Sequence, residues 1–352
     1  MQKLTNENFI KARDYIFTHS DDINQAWFRY NFEDSDTNEF MGVLAKYQYE
    51  NGGFGGLVYE FAYQGPCLKC TEHALRYMFY LKAQPAADHP VIQKTMKYLL
   101  GRYRPDVGHF GNMEEPELNE QAHVPWWGYN ENEFPPITDE DERILKYQPN
   151  GQAAIAAFIA QYSELVPEDL YNDIIKYPIE KILRYYDENS PLFEKSATDD
   201  CHDTDISVPY NLKCYQKFVK CLKDKPLADK LAKILCQNPT ACMELDFAKW
   251  EQDYEELPCD VVDTPDSVIY PAVKDLVDDS LGYLIRQQND DGCWHLHWRF
   301  GEGEAFDKMQ AQFEAHLTML ILAELGRFGK LNYEKTKENH QIYQGVNLCK
   351  GQ

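Results

Sequence analysis

Nowhere in the 352 residues do 18 uninterrupted apolar positions occur, so no segment has the length of a membrane-spanning helix. The opening stretch MQKLTNENFIKARDYIF lacks the apolar centre and small-residue cleavage site of an export signal, which predicts a cytoplasmic protein. Positive charge is scarce. Lys and Arg number 35 against 58 Asp and Glu, a net charge of −23, and such a surface repels nucleic acid and anionic lipid, leaving neither as an expected partner. The ten cysteines are irregularly spaced, and the one CxxC, Cys67 and Cys70, has no second pair to complete a zinc ribbon, so reduced thiols are expected. There is no P-loop, dinucleotide fingerprint, nucleophile elbow or HExxH, which removes sequence support for nucleotide-dependent and common hydrolase chemistry. Strand-like alternation with tight hairpin signals is also missing over most of the chain.

What is present is a repeat. With 43% hydrophobic and 14% aromatic residues the chain has the means to build a large core. LAKYQYENGGFGG (44–56) is followed by TEHALRYMFYLKA (71–83). IQKTMKYLLGRYRPDVGHFG (92–111) is followed, after an insertion at about 105–148, by NGQAAIAAFIAQYS (150–163). The clearest copy is LGYLIRQQNDDGCWHLHW (281–298) with QAQFEAHLTMLILAELGRFG (310–329), and IEKILRYYDENS, SVPYNLKCYQKFVKCL and ADKLAKILCQ are more degenerate copies. Each unit reads as an amphipathic helix, a glycine turn, a polar segment and a second helix apolar on most of its surface, as expected of a helix enclosed by neighbours. The expectation is an all-α protein, one domain over 1–352.

The turn motifs QNDDGCW (288–294), QYENGGFG and YRPDVGHFG resemble the Gln-Trp and Gly-Gly-Phe repeats of the terpenoid cyclase and protein prenyltransferase superfamily. The resemblance runs from about Glu39 to Gly329 and implies an α/α toroid of about five to six helical hairpins. It also implies an enzyme with a central cavity at whose mouth the inner helices begin. On that basis Glu72, His73 and Gln152 are expected to bind substrate, together with His123, Trp126 and Trp127 from the insertion, whose indoles suit an apolar or a glycan ligand.

Two constellations carry chemistry. Thr198 to Asp205 packs four carboxylates and His202 together, and Asp199, Asp200 and Asp203 spell DDxxD; mutual repulsion raises one carboxyl toward neutrality, which a general acid needs. With the toroid, this gives a terpenoid-cyclase-like enzyme in which Asp199, Asp200, His202 and Asp203 start an acid-initiated reaction on an isoprenoid-type substrate. The Asp-x-Cys pair Asp291 and Cys293, with His316 on the following helix, resembles the zinc ligands of protein prenyltransferases, and His295 and His297 are alternative ligands. Zinc is the cofactor that set implies. A zinc-dependent prenyltransferase-like protein, a glycan-cleaving enzyme and a non-catalytic scaffold that binds a protein partner remain alternatives. Against any diphosphate substrate stands the composition of the inner-helix starts, where Arg76 alone is cationic.

Overall fold

A computed structural model describes residues 2–190, 209–240, 242–250 and 257–333. Among them are thirteen α-helices: α1 (Asn6–His19), α2 (Asp22–Phe32), α3 (Thr37–Leu44), α4 (Leu68–Phe79), α5 (Pro90–Arg102), α6 (Glu140–Leu145), α7 (Gln152–Gln161), α8 (Glu168–Lys181), α9 (Pro209–Cys221), α10 (Lys225–Leu235), α11 (Pro258–Val261), α12 (Tyr270–Gln287) and α13 (Glu304–Arg327). No strand forms among the described residues, only isolated bridges, so the protein is all-α. No helix there is long and apolar enough to cross a membrane.

The expected division into wrapped and wrapping helices holds in detail. Every residue of α7 from Gln152 to Ala160 is buried, and so is most of α13 between Glu314 and Leu325, whereas α1 and α5 bury one stripe and leave the rest to solvent. One hydrophobic core runs from Leu4 to Leu331. The helix α4 packs on α7, α7 on α9, and α13 on α1 and α2.

The Gln-x3-Gly-x-aromatic turns explain how units join. The side-chain amide of Gln48 donates to the Gly52 carbonyl (3.1 Å) and to the Val91 carbonyl of α5 (3.1 Å). Gln288 does the same with Gly292 (2.9 Å) and with Asn8 of α1 (3.0 Å). Each turn is thereby stapled to the first helix of another unit, and for the last turn that helix is the first in the chain. Gly52 and Gly292 sit at φ +94° and +92°, where an L side chain is strained, and a Cβ on either would lie within 2.3 Å of backbone in α5 or α1. The aromatic residue that follows plugs the gap, and its N–H is capped by a polar side chain of the enclosed helix: Phe54 by Thr71 (3.0 Å), Phe110 by Gln152 (3.0 Å), Trp294 by Thr318 (3.3 Å).

Replacing Gln288 by Ala is expected to cost about 1–2 kcal/mol in urea unfolding, through two lost hydrogen bonds. Amide exchange should quicken in α1, while Gln48→Ala quickens it in α5. Equal loosening of both helices in either variant would contradict the pairing.

The insertion is more ordered than a long loop implies. Its residues 122–124 pair with the earlier segment 60–62 through Ala62 N–H to Ala122 O (2.7 Å) and Val124 N–H to Glu60 O (3.0 Å). Its acidic end folds into α6, capped by Asp139 and tied to α8 by Lys176–Glu140 (2.7 Å) and to the turn after α8 by Arg184–Asp141 (2.5 Å).

Candidate functional site

The Asp-Gly-Cys turn lies between α12 and α13. Asp291 uses both carboxylate oxygens: Oδ1 accepts the Cys293 N–H (3.0 Å), and Oδ2 faces His295 Nε2 (2.9 Å). The other imidazole nitrogen, Nδ1, meets Glu314 Oε2 (2.7 Å). Glu314 Oε1 is held by the Leu296 N–H (3.2 Å) and the Gln310 amide (3.1 Å), so this carboxylate is fixed from one side with Oε2 presented to the turn. Ligand atoms of Cys293, His295 and Glu314 all lie within 4.8 Å of one another. Burial pushes the Cys293 thiol up to about 11. For His295, burial works against the charged form, but its hydrogen bonds to Glu314 and Asp291 prevail and raise its pKa.

His316 does not join this group. Residues two apart on a helix point to nearly opposite sides, so with Glu314 turned to the Asp-Gly-Cys turn, His316 is turned away from it. Its Nδ1 bonds instead to Asn24 Oδ1 of α2 (2.8 Å). The Asn24 amide donates to Asp21 (2.9 Å) and Tyr59 (2.7 Å), which leaves its oxygen to accept, so His316 carries its proton on Nδ1. Burial, and then the nearby Arg76, lower its pKa to about 3 and keep it neutral. The expected triad of Asp291, Cys293 and His316 is thus replaced by Cys293, His295 and Glu314, with Asp291 behind the imidazole.

The interior between α4, α9 and α13 is ionic. Glu72 is fully buried and ion-paired with Arg76 (2.6 Å) and Lys69 (3.5 Å); burial opposes its charge, but those cations hold its pKa below the usual value. Its neighbour His73 is kept neutral by burial. One helical face of α4 continues from Glu72 and Arg76 to Tyr80, whose hydroxyl bonds to Asp263 and to Lys217. Lys213 (3.1 Å) and Lys217 (3.3 Å) both pair with Asp263, and Arg327 donates to its backbone carbonyl (2.7 Å) while lying 4.4 Å from the Tyr80 ring. Burial opposes the charge of Asp263, yet Lys213 and Lys217 hold its carboxyl far below the ordinary range. Burial pushes Glu324, on the same stretch of α13, up to about 8, so it is uncharged at neutral pH. Cations therefore outnumber anions here, inside a protein of net charge −23. The sequence reading that Arg76 alone is cationic near the inner-helix starts is corrected: Lys69 stands in the first turn of α4, and further cations come from the middle of α9 and the end of α13. Arg76, Lys213 and Lys217 keep 32, 27 and 15% of their side-chain surface, so water reaches these side chains.

The remaining candidates are dispersed. Gln152 spends its amide on Phe110 and Gly111 and is a wall element. Trp127 lies under the Lys69 ammonium at 4.6 Å, joining the insertion to the Glu72 cluster. Trp126 is half exposed, bonded to Glu60 (3.0 Å) and edge-on to Trp298 at 5.4 Å, and His123 bonds to the Gln121 carbonyl (2.8 Å). Asp199, Asp200, His202 and Asp203 lie outside the described residues. No family model matches the chain, and no curated protein or solved structure is significantly similar to it.

Proposed function

We propose that the helix pairs close into an α/α toroid and that the protein is a zinc-dependent, prenyltransferase-like enzyme, acting on an isoprenoid-type substrate with an anionic head. The toroid is supported by the stapling of the last turn onto α1 and by the succession of contacts from α4 through α7 to α9. The observation that carries the function is the Cys293, His295 and Glu314 group, whose ligand atoms already lie within 4.8 Å of one another.

The donors fit zinc. Thiolate, imidazole and carboxylate are its usual ligands, and closing the group to the roughly 3.5 Å separations of a tetrahedral site needs only side-chain adjustment. Asp291 would hold the far imidazole nitrogen, fixing tautomer and orientation. A bound zinc would supply Lewis acidity and lower the pKa of a thiol acceptor. The protein's own contribution is charge: Arg76, Lys213, Lys217 and Arg327 would receive the diphosphate as it departs, and neutral Glu324 leaves that field uncancelled. An acid-initiated cyclase reaction would draw instead on Asp199, Asp200, His202 and Asp203, which lie outside the described residues.

The test is the metal content, by plasma mass spectrometry, of untagged protein purified without chelator. About one zinc per chain is expected, falling to near zero in Cys293→Ser with the fold retained by circular dichroism. A parent protein without metal, even after incubation with zinc, would sink the proposal.

A further inference from the structure

The cations of the interior are not equivalent. Lys213 (3.1 Å) and Lys217 (3.3 Å) both turn to one oxygen of Asp263, Oδ2, which also accepts the Tyr80 hydroxyl. Arg327 is held differently. Its Nε donates to the Asp263 backbone carbonyl (2.7 Å), and its side chain makes no other hydrogen bond or ion pair among the described residues. A guanidinium fixed through Nε keeps Nη1 and Nη2 as a planar fork, the geometry that matches two oxygens of one phosphoryl group. A lysine ammonium offers a phosphate a point charge instead.

One side chain supports both kinds of cation. Tyr80 caps the C-terminus of α4, and its ring meets α9 and α13: the Lys217 ammonium lies 4.2 Å from the ring centre and the Arg327 guanidinium carbon 4.4 Å from it. The Tyr80 oxygen also accepts from Lys217. With both cations resting on one ring, the distance between the fork and the ammonium is bounded. An orthophosphate has a single phosphorus centre and can use one seat or the other. A diphosphate has two and can use both at once.

We infer that Arg327, positioned by Tyr80, is the specificity-determining residue of the anionic-head site: its fork makes a bidentate seat beside the lysine seat, and the pair of seats selects a diphosphate over a monophosphate. This rests on the reading of the interior as the place of an anionic head, and not on the metal. Tyr80 acts through its two cations, since its hydroxyl is already spent on Asp263 and Lys217.

The experiment is calorimetric titration of the full chain with pyrophosphate and with orthophosphate at one ionic strength, for the parent, Arg327→Lys and Tyr80→Leu. Neither substitution alters the net charge, so a preference due to charge alone survives both. Losing the bidentate seat removes charge-assisted hydrogen bonds, and pyrophosphate is expected to bind about 30-fold more weakly to each variant. Orthophosphate, which keeps Lys213 and Lys217, should change by less than about threefold. Tyr80→Phe retains the ring beneath both cations and is expected to keep most of the preference; if Tyr80→Leu does not fold, Arg327→Lys carries the test. Parent-like pyrophosphate affinity in Arg327→Lys would overturn the inference and leave the anionic-head reading standing. Equal weakening of the two anions would overturn it too, since a general loosening of the site would then suffice. A parent that binds neither anion would remove the anionic-head reading and this inference with it.

Discussion

Asp263→Asn is expected to lower stability by about 3 kcal/mol in urea unfolding at pH 7, and pyrophosphate should restore part of that loss. The carboxylate is buried and faces Lys213, Lys217 and the Tyr80 hydroxyl. An amide of the same shape leaves two ammonium groups without a counter-charge in a place that only partly reaches water, and removing one partner of such a buried set costs about 3–5 kcal/mol. The lower end applies because Lys213 and Lys217 keep some contact with solvent. The native pKa of Asp263 is depressed, so its contribution is present above the ordinary carboxylate pKa and is lost as pH falls below it; parent and variant should converge in acid. An anion that binds only the folded state adds stability in proportion to the logarithm of its concentration over its dissociation constant, and the variant, with two unbalanced lysines, should gain more than the parent. Loss without recovery by pyrophosphate would argue that the lysines serve Asp263 alone and would remove the cationic cradle from the proposed reaction.

The repeat was legible because its signals are local. A glutamine, a glycine four residues on and an aromatic two further announce one turn, and the structure uses each for a physical duty: the staple, the positive φ and the plug. The Asp-Gly-Cys turn was half legible for the same reason. Asp291, Cys293 and His295 fall within five residues, but which helix residue completes the set depends on the rotation of α13, and a two-residue difference exchanges Glu314 for His316. The cationic interior was hidden more deeply. Lys213 and Lys217 show an i, i+4 spacing that any solvated helix face also shows, and only packing against Tyr80 and the segment after α11 turns that face inward. Gln152 shows the reverse error: a polar residue at the start of an apolar helix invites a binding role, yet it caps the neighbouring turn.

Glu324→Gln is expected to make the protein more resistant to alkaline conditions, by up to about 3 kcal/mol at pH 9 and by nothing at pH 4. Glu324 is buried beside Asp260 and Asp263, and burial, the largest influence, outweighs the opposing pull of Arg327 to bring its pKa to about 8 from an ordinary 4.5. Between those two values the unfolded chain has released the proton and the native state still holds it. Native protein therefore binds more protons there, and stability falls with each rise in pH until the native carboxyl also ionises. Below the lower value both states are protonated and the residue is silent. Glutamine cannot ionise, so the penalty disappears, although the amide inherits the unsatisfied Oε1 position at a cost that does not vary with pH. The pH dependence of the difference is therefore the measurement, made as urea midpoints of parent and variant from pH 4 to 9. A difference that stays constant would mean that Glu324 is charged in the native protein, and the surplus of positive charge between α4, α9 and α13 would shrink accordingly.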